Sequence, residues 1–222
     1  MTAERKAEQA DQILRSALEF LQGGEPIPLH WAVENAGAFQ DAWASTRASE
    51  LMVKIAAHVV QQEELVPILC AIARSTLRFI VDDDRQRVAI ETAEDWARGR
   101  ASQGDAQSAG QALRDTVEQQ TYAPWCASFD ASLAAAYAAW AAAAPGDPQE
   151  IAECAAICVG AVALAEAIDR RADGSISSTP ITSGFAYRLD LAAANIADTI
   201  RRGLSHRDIL ANLVSANRGM PL

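Results

Sequence analysis

The sequence is poor in aromatic residues, in lysine and in histidine. Aromatic residues make up 6% of the 222 positions, and only Lys6 and Lys54 among the 19 Lys and Arg residues are lysines. With 12 glycines and 8 prolines, the composition excludes collagen-like and low-complexity disordered chains. The four cysteines all lie in apolar segments: Cys70, Cys126, Cys154 and Cys158. This placement excludes a disulfide framework and favours buried, reduced thiols.

Alanine dominates what is present, with 48 residues in a chain that is 50% hydrophobic. Alanine has the highest helix propensity and the smallest apolar side chain, so helix axes lined by it can approach closely. We therefore predict an all-α fold, a bundle of about eight helices with a C-terminal helical pair. The predicted spans are 3–21, 29–45, 47–60, 63–80, 85–98, 105–120, 125–144 and 148–171, with 185–202 and a short helix from 205 as the pair.

A Ser/Thr-rich segment at 175–184 divides the predicted helices into two parts. Its composition is typical of a flexible connector. We predict a helical bundle over residues 1–174 and a helical hairpin over residues 185–222 that packs on it.

The charge is negative and unevenly distributed. There are 29 acids and 19 Lys or Arg residues, a formal net charge of −10, which disfavours nucleic acid as a partner. Residues 121–169 carry six acids and no Lys or Arg, whereas residues 170–222 carry seven Arg against four Asp. The sequence thus predicts an acidic middle and a mildly basic C-terminal part.

Targeting and membrane signals are weak. The first ten residues are charged and polar, which is not the pattern of a secretory signal. The uncharged stretches 131–146 and 154–165 fall short of the roughly 20 residues of a membrane span, so both favour buried helices. We expect a cytoplasmic protein without membrane association.

The sequence contains no known catalytic motif: it has no nucleophile elbow, zincin helix, P-loop or dinucleotide fingerprint. Cys154 and Cys158 share a helix face, but no histidine lies within ten residues, so core packing is the better interpretation. The isolated histidines, His30, His58 and His206, have no assigned role. We expect no catalytic residue, no metal, no cofactor and no enzymatic activity.

Several acids have the positions of helix caps. Asp82, Asp83 and Asp84 precede the fifth helix, where one suffices as N-cap and the other two could recognise a partner. Asp147 is placed to cap the eighth helix, and Ser205 with Asp208 has the spacing of a capping box.

One stretch resembles a known family. The segment L-V-P-I-L-C-A-I-A-R at 65–74 is followed at 82–99 by D-D-D-R-Q-R-V-A-I-E-T-A-E-D-W-A-R-G. This order resembles a family of small bacterial helical proteins described as immunity proteins of polymorphic-toxin systems, over about residues 50–170. The resemblance implies an all-α fold and a protein partner, and no catalytic residue comes with it.

The leading hypothesis is a non-enzymatic immunity protein that neutralises a cognate toxin by direct contact. An acidic helical body would attract a basic toxin such as a nuclease. The predicted partner-binding residues are the acids Asp82, Asp83, Asp84, Asp147, Glu150 and Glu153. The alternative is a helical adaptor or regulator that uses its Arg-bearing C-terminal helical pair.

Overall fold

The computed structural model describes residues 3–23, 29–80, 84–119, 127–169 and 183–216. These residues form ten α-helices and one short 3₁₀ turn, and they contain no strand. The helices are α1 (Ala3–Gln22), α2 (Leu29–Ser45), α3 (Ser49–Val59), α4 (Gln62–Arg74), α5 (Arg85–Ala97), α6 (Gln103–Gln119), α7 (Ala127–Ala143), α8 (Pro148–Asp169), α9 (Ser183–Gly203) and α10 (His206–Ala216). The predicted all-α bundle of about eight helices and a C-terminal pair is confirmed.

The end of α4 differs from the prediction. The helix stops at Arg74 and is followed by a 3₁₀ turn, so the prediction that it continues to residue 80 is wrong. The hydroxyls of Ser75 and Thr76 donate to the carbonyls of Ile72 and Ala73, each at 2.7 Å. Such local bonds satisfy the last carbonyls of a helix and compete with its continuation.

The start of α5 also differs from the prediction. Asp84 occupies the N-cap position, but its backbone is helical (φ −85°, ψ −7°) and its side chain makes no capping hydrogen bond. A side chain normally caps a helix from a residue with an extended backbone, and the helical backbone of Asp84 does not allow this. The carboxylate of Asp84 instead pairs with Arg87 at 3.0 Å. Asp82 and Asp83 lie outside the described residues.

Two other predicted caps are present. The carboxylate of Asp147 accepts a hydrogen bond from the Gln149 amide at 2.9 Å. The Ser205 hydroxyl accepts one from the Asp208 amide at 3.2 Å and donates to the Asp208 carboxylate at 2.6 Å. These contacts satisfy amide groups that the first helical turn leaves without an intrahelical acceptor.

The centre of the bundle is formed by α7 and α8. Helix α7 contacts α4, α5, α6 and α8, and α8 also contacts α3, α4 and α9. Eight of the buried residues of α7 are alanines, which lets the neighbouring helices approach on several sides. The segment Pro148–Ile168 is long and apolar enough to span a membrane, but 67% of that window is buried inside the protein. Core helices have the same profile.

The helices α9 and α10 share the hydrophobic core of the other helices. The side chains of Ile196, Ile200, Ile209 and Leu213 are at most 5% exposed and belong to the same buried cluster as residues of α1 to α8. The division at 175–184 stays a prediction, because residues 170–182 lie outside the described part of the chain.

Two arginines of α9 bind the ends of other helices. The Nε of Arg201 donates to the carbonyl of Trp43 at 2.9 Å, and its Nη2 donates to the carbonyl of Thr46. The Nε of Arg188 donates to the carbonyl of Ala167 at 2.9 Å. Both guanidinium groups thus interact with the negative C-terminal end of a helix, α2 or α8.

Candidate functional site

Three helices begin at the C-terminal end of α7. The Nε2 of Gln62, the first residue of α4, donates to the carbonyl of Ala144 at 3.0 Å. The Nε2 of Gln103, the first residue of α6, donates to the carbonyls of Ala143 and Ala144 at 2.8 and 2.7 Å. Helix α8 begins four residues later at Pro148. The positive N-terminal ends of α4, α6 and α8 therefore meet at the negative C-terminal end of α7.

This end of the bundle is lined by exposed carboxylates, and we call it the acidic end. Its members belong to the first turns of the three converging helices or to the residues beside them: Glu63, Glu64, Asp105, Asp147, Glu150 and Glu153. Within the described residues none of the six makes an ion pair. The neighbouring Arg98 and Arg100 are bound to Glu94 and Asp95. The six carboxylates are therefore not neutralised by ion pairs among the described residues, and their total charge exceeds the roughly half positive charge at each of the three helix N-termini.

The structure places three of the predicted partner-binding residues at the same end of the bundle as three further acids. Asp147, Glu150 and Glu153 lie at the acidic end. Glu63, Glu64 and Asp105, which we did not predict as partner-binding residues, lie at the same end. Their position in a first helical turn was visible in the sequence. The sequence does not show that these acids lie at one end of the bundle. That arrangement depends on the hydrogen bonds of Gln103 and Gln62 to Ala144, which lies 41 and 82 positions away from them along the chain.

Asp84 lies away from this group. The amide of Gln86 donates to the Ser132 hydroxyl at 2.8 Å, which places the start of α5 beside the first half of α7. Twelve residues separate Ser132 from Ala144, which corresponds to about 18 Å along a helix. Asp84 therefore does not share the surface of Asp147, Glu150 and Glu153, while Asp82 and Asp83 lie outside the described residues.

Asp105 belongs to a capping box that was not predicted from the sequence. Its carboxylate accepts hydrogen bonds from the Ser102 hydroxyl at 2.7 Å and the Ser102 amide at 2.8 Å, and its own amide donates to that hydroxyl at 3.1 Å. These bonds lower the pKa of Asp105 below its usual value. Asp105 is therefore ionised at neutral pH.

His58, in the last turn of α3, is the titratable base close to Asp147. Its Nε2 is buried and has no hydrogen-bond partner in the described part of the chain. Burial lowers the pKa of His58, and the negative charge of Asp147 only partly opposes that effect. His58 is therefore neutral at pH 7 and adds no positive charge to the acidic end.

Asp130 is a buried carboxylate that the sequence analysis did not single out. It lies in the first turn of α7 and is 7% exposed. The helix dipole favours its ionised form, but burial has the larger effect and raises its pKa to about 6. The ionised side chain thus destabilises the folded protein at neutral pH.

We expect Asp130→Asn to raise the free energy of unfolding at neutral pH by about 1 kcal/mol, less than the roughly 3 kcal/mol that a rise of the pKa from about 4 to about 6 represents, because the buried amide of Asn also loses hydration. The folded-state pKa of Asp130 lies above the unfolded-state value of about 3.9. Ionisation of Asp130 therefore lowers the free energy of unfolding of the native protein as the pH rises from about 4 to about 6. The gain should therefore disappear at about pH 4. Urea unfolding over a pH series, with the exposed Asp41→Asn as control, measures it. A gain that is constant with pH would contradict this assignment.

A second candidate site is a groove of about 620 Å³ between α1, α3, α8 and α9. Its apolar lining includes Leu18, Leu51, Val159, Ala163, Leu164 and Leu189. Charged side chains of both signs surround this lining: Arg15, Arg47, Lys54, Glu19, Glu50 and Asp190. The groove is therefore amphipathic and has no net charge.

The described residues contain no group of three His, Cys, Asp or Glu side chains that could hold a metal ion. Cys70, Cys154 and Cys158 are buried free thiols, as predicted, while Cys126 lies outside the described part. Burial raises the pKa of Cys70 to about 12 and that of Cys154 to about 11. These thiols are therefore protonated at neutral pH and poor nucleophiles.

Comparison with known proteins adds no assignment. No family model, no curated protein and no solved structure matches this chain. The resemblance to immunity proteins of polymorphic-toxin systems therefore stays a prediction.

Proposed function

We propose that this chain is a non-enzymatic binding protein that captures a basic protein partner on its acidic end. The observation that carries the proposal is the convergence of three helix N-termini with six exposed carboxylates that have no ion-pair partner among the described residues. A rigid surface with this potential accelerates the association of a positively charged protein and discriminates against acidic ones. The formal net charge of −10 adds to this attraction at long range.

A bacterial toxin with a basic surface is the partner class we propose, and the chain would act as its immunity protein. The support for this narrower statement is the sequence resemblance over about residues 50–170 together with the acidic end. The buried free thiols suit a reducing compartment, which is consistent with action in the cytoplasm. Neutralisation by contact requires no catalytic residue in this chain.

The test is co-expression with the protein encoded next to this chain. We expect the native protein to co-purify with that protein and to protect the cells from it. The triple variant Glu63→Lys, Glu150→Lys, Glu153→Lys should lower the association rate constant by about tenfold or more at low salt. The control triple Glu8→Lys, Glu34→Lys, Asp41→Lys changes the net charge equally through exposed acids of α1 and α2. It should keep most of the native rate.

Salt dependence provides the second measurement. Association of the native protein should slow as the ionic strength rises, because exposed charges are screened over about 10 Å at 0.1 M salt. An association rate that is the same at low and high salt would contradict binding on the acidic end. Equal effects of the two triple variants would reduce the proposal to a general effect of net charge.

The alternative function, an adaptor that uses the arginines of α9 and α10, has less support. Arg188 and Arg201 bind the ends of α8 and α2, so their guanidinium groups are engaged within the protein. Deleting both helices would also remove Ile200 and Ile209, both 0% exposed, and would expose the core residues that they cover. The point variant Arg207→Glu, at an exposed position of α10, is the cleaner test of that surface.

A further inference from the structure

The groove between α1, α3, α8 and α9 contains most of the unpaired positive charge of the described structure. Among the Lys and Arg residues whose side chains the structure describes, four have neither an ion pair nor a side-chain hydrogen bond: Arg15, Arg47, Lys54 and Arg207. The first three line the groove. Three acids with no ion pair in the same residues, Glu19, Glu50 and Asp190, line it as well. Positive and negative side chains alternate along two of the helices that line the groove. Arg15 is followed by Glu19 on α1. Arg47, just before α3, is followed by Glu50 and Lys54 on α3.

Exposed apolar side chains lie next to this groove. The described residues contain three exposed large apolar side chains, Val88, Ile157 and Tyr187, which are 49%, 39% and 69% exposed. Ile157 precedes the groove residue Gly160 by one turn of α8, and Tyr187 precedes the groove residue Asp190 by one turn of α9. The apolar surface therefore extends beyond the groove along both helices, a pattern typical of an interaction site.

Among the described residues, no neighbour packs closely enough against Gly160 to require a glycine there. A Cβ at this position would meet a single neighbour, the Oε1 of Glu50, at 3.4 Å. A Cβ at Gly110 or Gly203 would instead lie 2.4 Å from Trp140 or 2.6 Å from Ile68. Glycine inside a helix costs about 1 kcal/mol relative to alanine, so Gly160 weakens α8 without a gain in internal packing. A glycine at such a position suits the close approach of a second molecule.

We propose that this groove is the interface of a homodimer, with a second copy of this chain as its occupant. A surface can pair with itself about a two-fold axis when each feature meets its complement in the other copy. Three cations and three acids around one apolar groove meet that condition, because each cation can face an acid of the second copy. A uniformly acidic or basic partner would be repelled by half of the charged groups.

The charge of the whole chain favours the same face. Two copies that each carry a net charge of −10 repel each other on most contacts. The groove is the place where unpaired cations offset acids, so the repulsion is smallest there. Tyr187 projects from α9 beside the groove and can enter the groove of the other copy, as exposed aromatic residues often do at interfaces.

The decisive experiment uses two charge-reversed variants of the full chain. One carries Arg15→Glu, Arg47→Glu and Lys54→Glu, and the other carries Glu19→Arg, Glu50→Arg and Asp190→Arg. Sedimentation equilibrium of the native protein should give twice the chain mass at high concentration. Each variant alone should dissociate with a dissociation constant raised about tenfold or more, because like charges then face each other. An equimolar mixture should form a heterodimer at least as tight as the native dimer, whereas a groove for a foreign partner predicts that the native protein is a monomer.

Uncharged variants provide the matched controls. Ile157→Asp should dissociate the dimer, whereas Val88→Asp on α5, a similarly exposed apolar position, should leave it intact. Gly160→Ala should stabilise α8 in the monomer yet weaken the dimer. Gly37→Ala, in open space on α2, should stabilise its helix without changing the dimer.

A native protein that stays monomeric throughout the concentration series would overturn the proposal. A dimer that persists unchanged in both triple variants would also overturn it.

Discussion

Gly110→Ala should lower the free energy of unfolding by about 2 kcal/mol, although alanine is the better helix former. The added Cβ would lie 2.4 Å from Cδ1 and 2.7 Å from Nε1 of Trp140, and 3.3 Å from the carbonyl oxygen of Ala136. The indole ring cannot move easily, because Tyr137 packs edge-on against it at 5.2 Å and Arg114 lies over its face at 4.8 Å. Overpacking of about 3 kcal/mol therefore exceeds the gain of about 1 kcal/mol in helix propensity.

Urea unfolding of a double-mutant cycle measures this clash. In a Trp140→Leu background the ring is absent, so Gly110→Ala should stabilise the protein by about 1 kcal/mol through helix propensity alone. The change of sign between the two backgrounds is the expected signature. If Gly110→Ala costs the same with and without the indole, the close approach of α6 and α7 is not what the glycine provides.

Arg201→Met should lower the free energy of unfolding by about 3 kcal/mol. The guanidinium donates to the carbonyls of Trp43 and Thr46, at the end of α2, two residues that are 2% and 1% exposed. Methionine retains an apolar side chain of similar reach, so packing is largely preserved and the loss comes from two carbonyls left without a donor. Unsatisfied buried acceptors cost more than a lost surface ion pair.

The ion pair of Arg201 provides the control for that substitution. Its partner Asp198 is 64% exposed, so Asp198→Ala should change stability by less than about 0.5 kcal/mol. Thermal or urea unfolding of both variants separates the two contributions. Equal losses in the two variants would mean that the exposed ion pair, rather than the contact with the end of α2, holds α9 in place.

The sequence predicts the helices well because their signals are local. Alanine content acts within each helix and the caps at Asp147 and Ser205 act within one turn, and the helix bounds agree with the prediction to within a few positions except at the end of α4. The predicted capping hydrogen bond is not made by Asp84, because Asp caps a helix when its own backbone is extended, and the backbone of Asp84 is helical.

The candidate sites depend on contacts that no local pattern contains. Gln62 and Gln103 are ordinary polar residues until their amides meet the carbonyl of Ala144. The burial of Asp130 likewise depends on the packing around α7 and not on its neighbours in the chain. The sequence therefore predicts some acids of the acidic end as partner-binding residues, but it does not predict which acids lie together. It contains no local pattern that indicates the groove.

The contacts between helices also determine the order in which the chain can fold during synthesis. Helices α4 to α7 pack mainly on one another and on α8, so this central part can become compact early. Helices α2 and α3 pack on α10, and α3 also packs on α8 and α9, across more than a hundred residues of sequence. Helix α1 can pack on α2 and α3 as soon as they are made, but the surfaces of α2 and α3 that contact α10 and α8 stay exposed until those later helices emerge from the ribosome. We expect a chaperone to bind the nascent chain at α2 and α3 rather than at its centre.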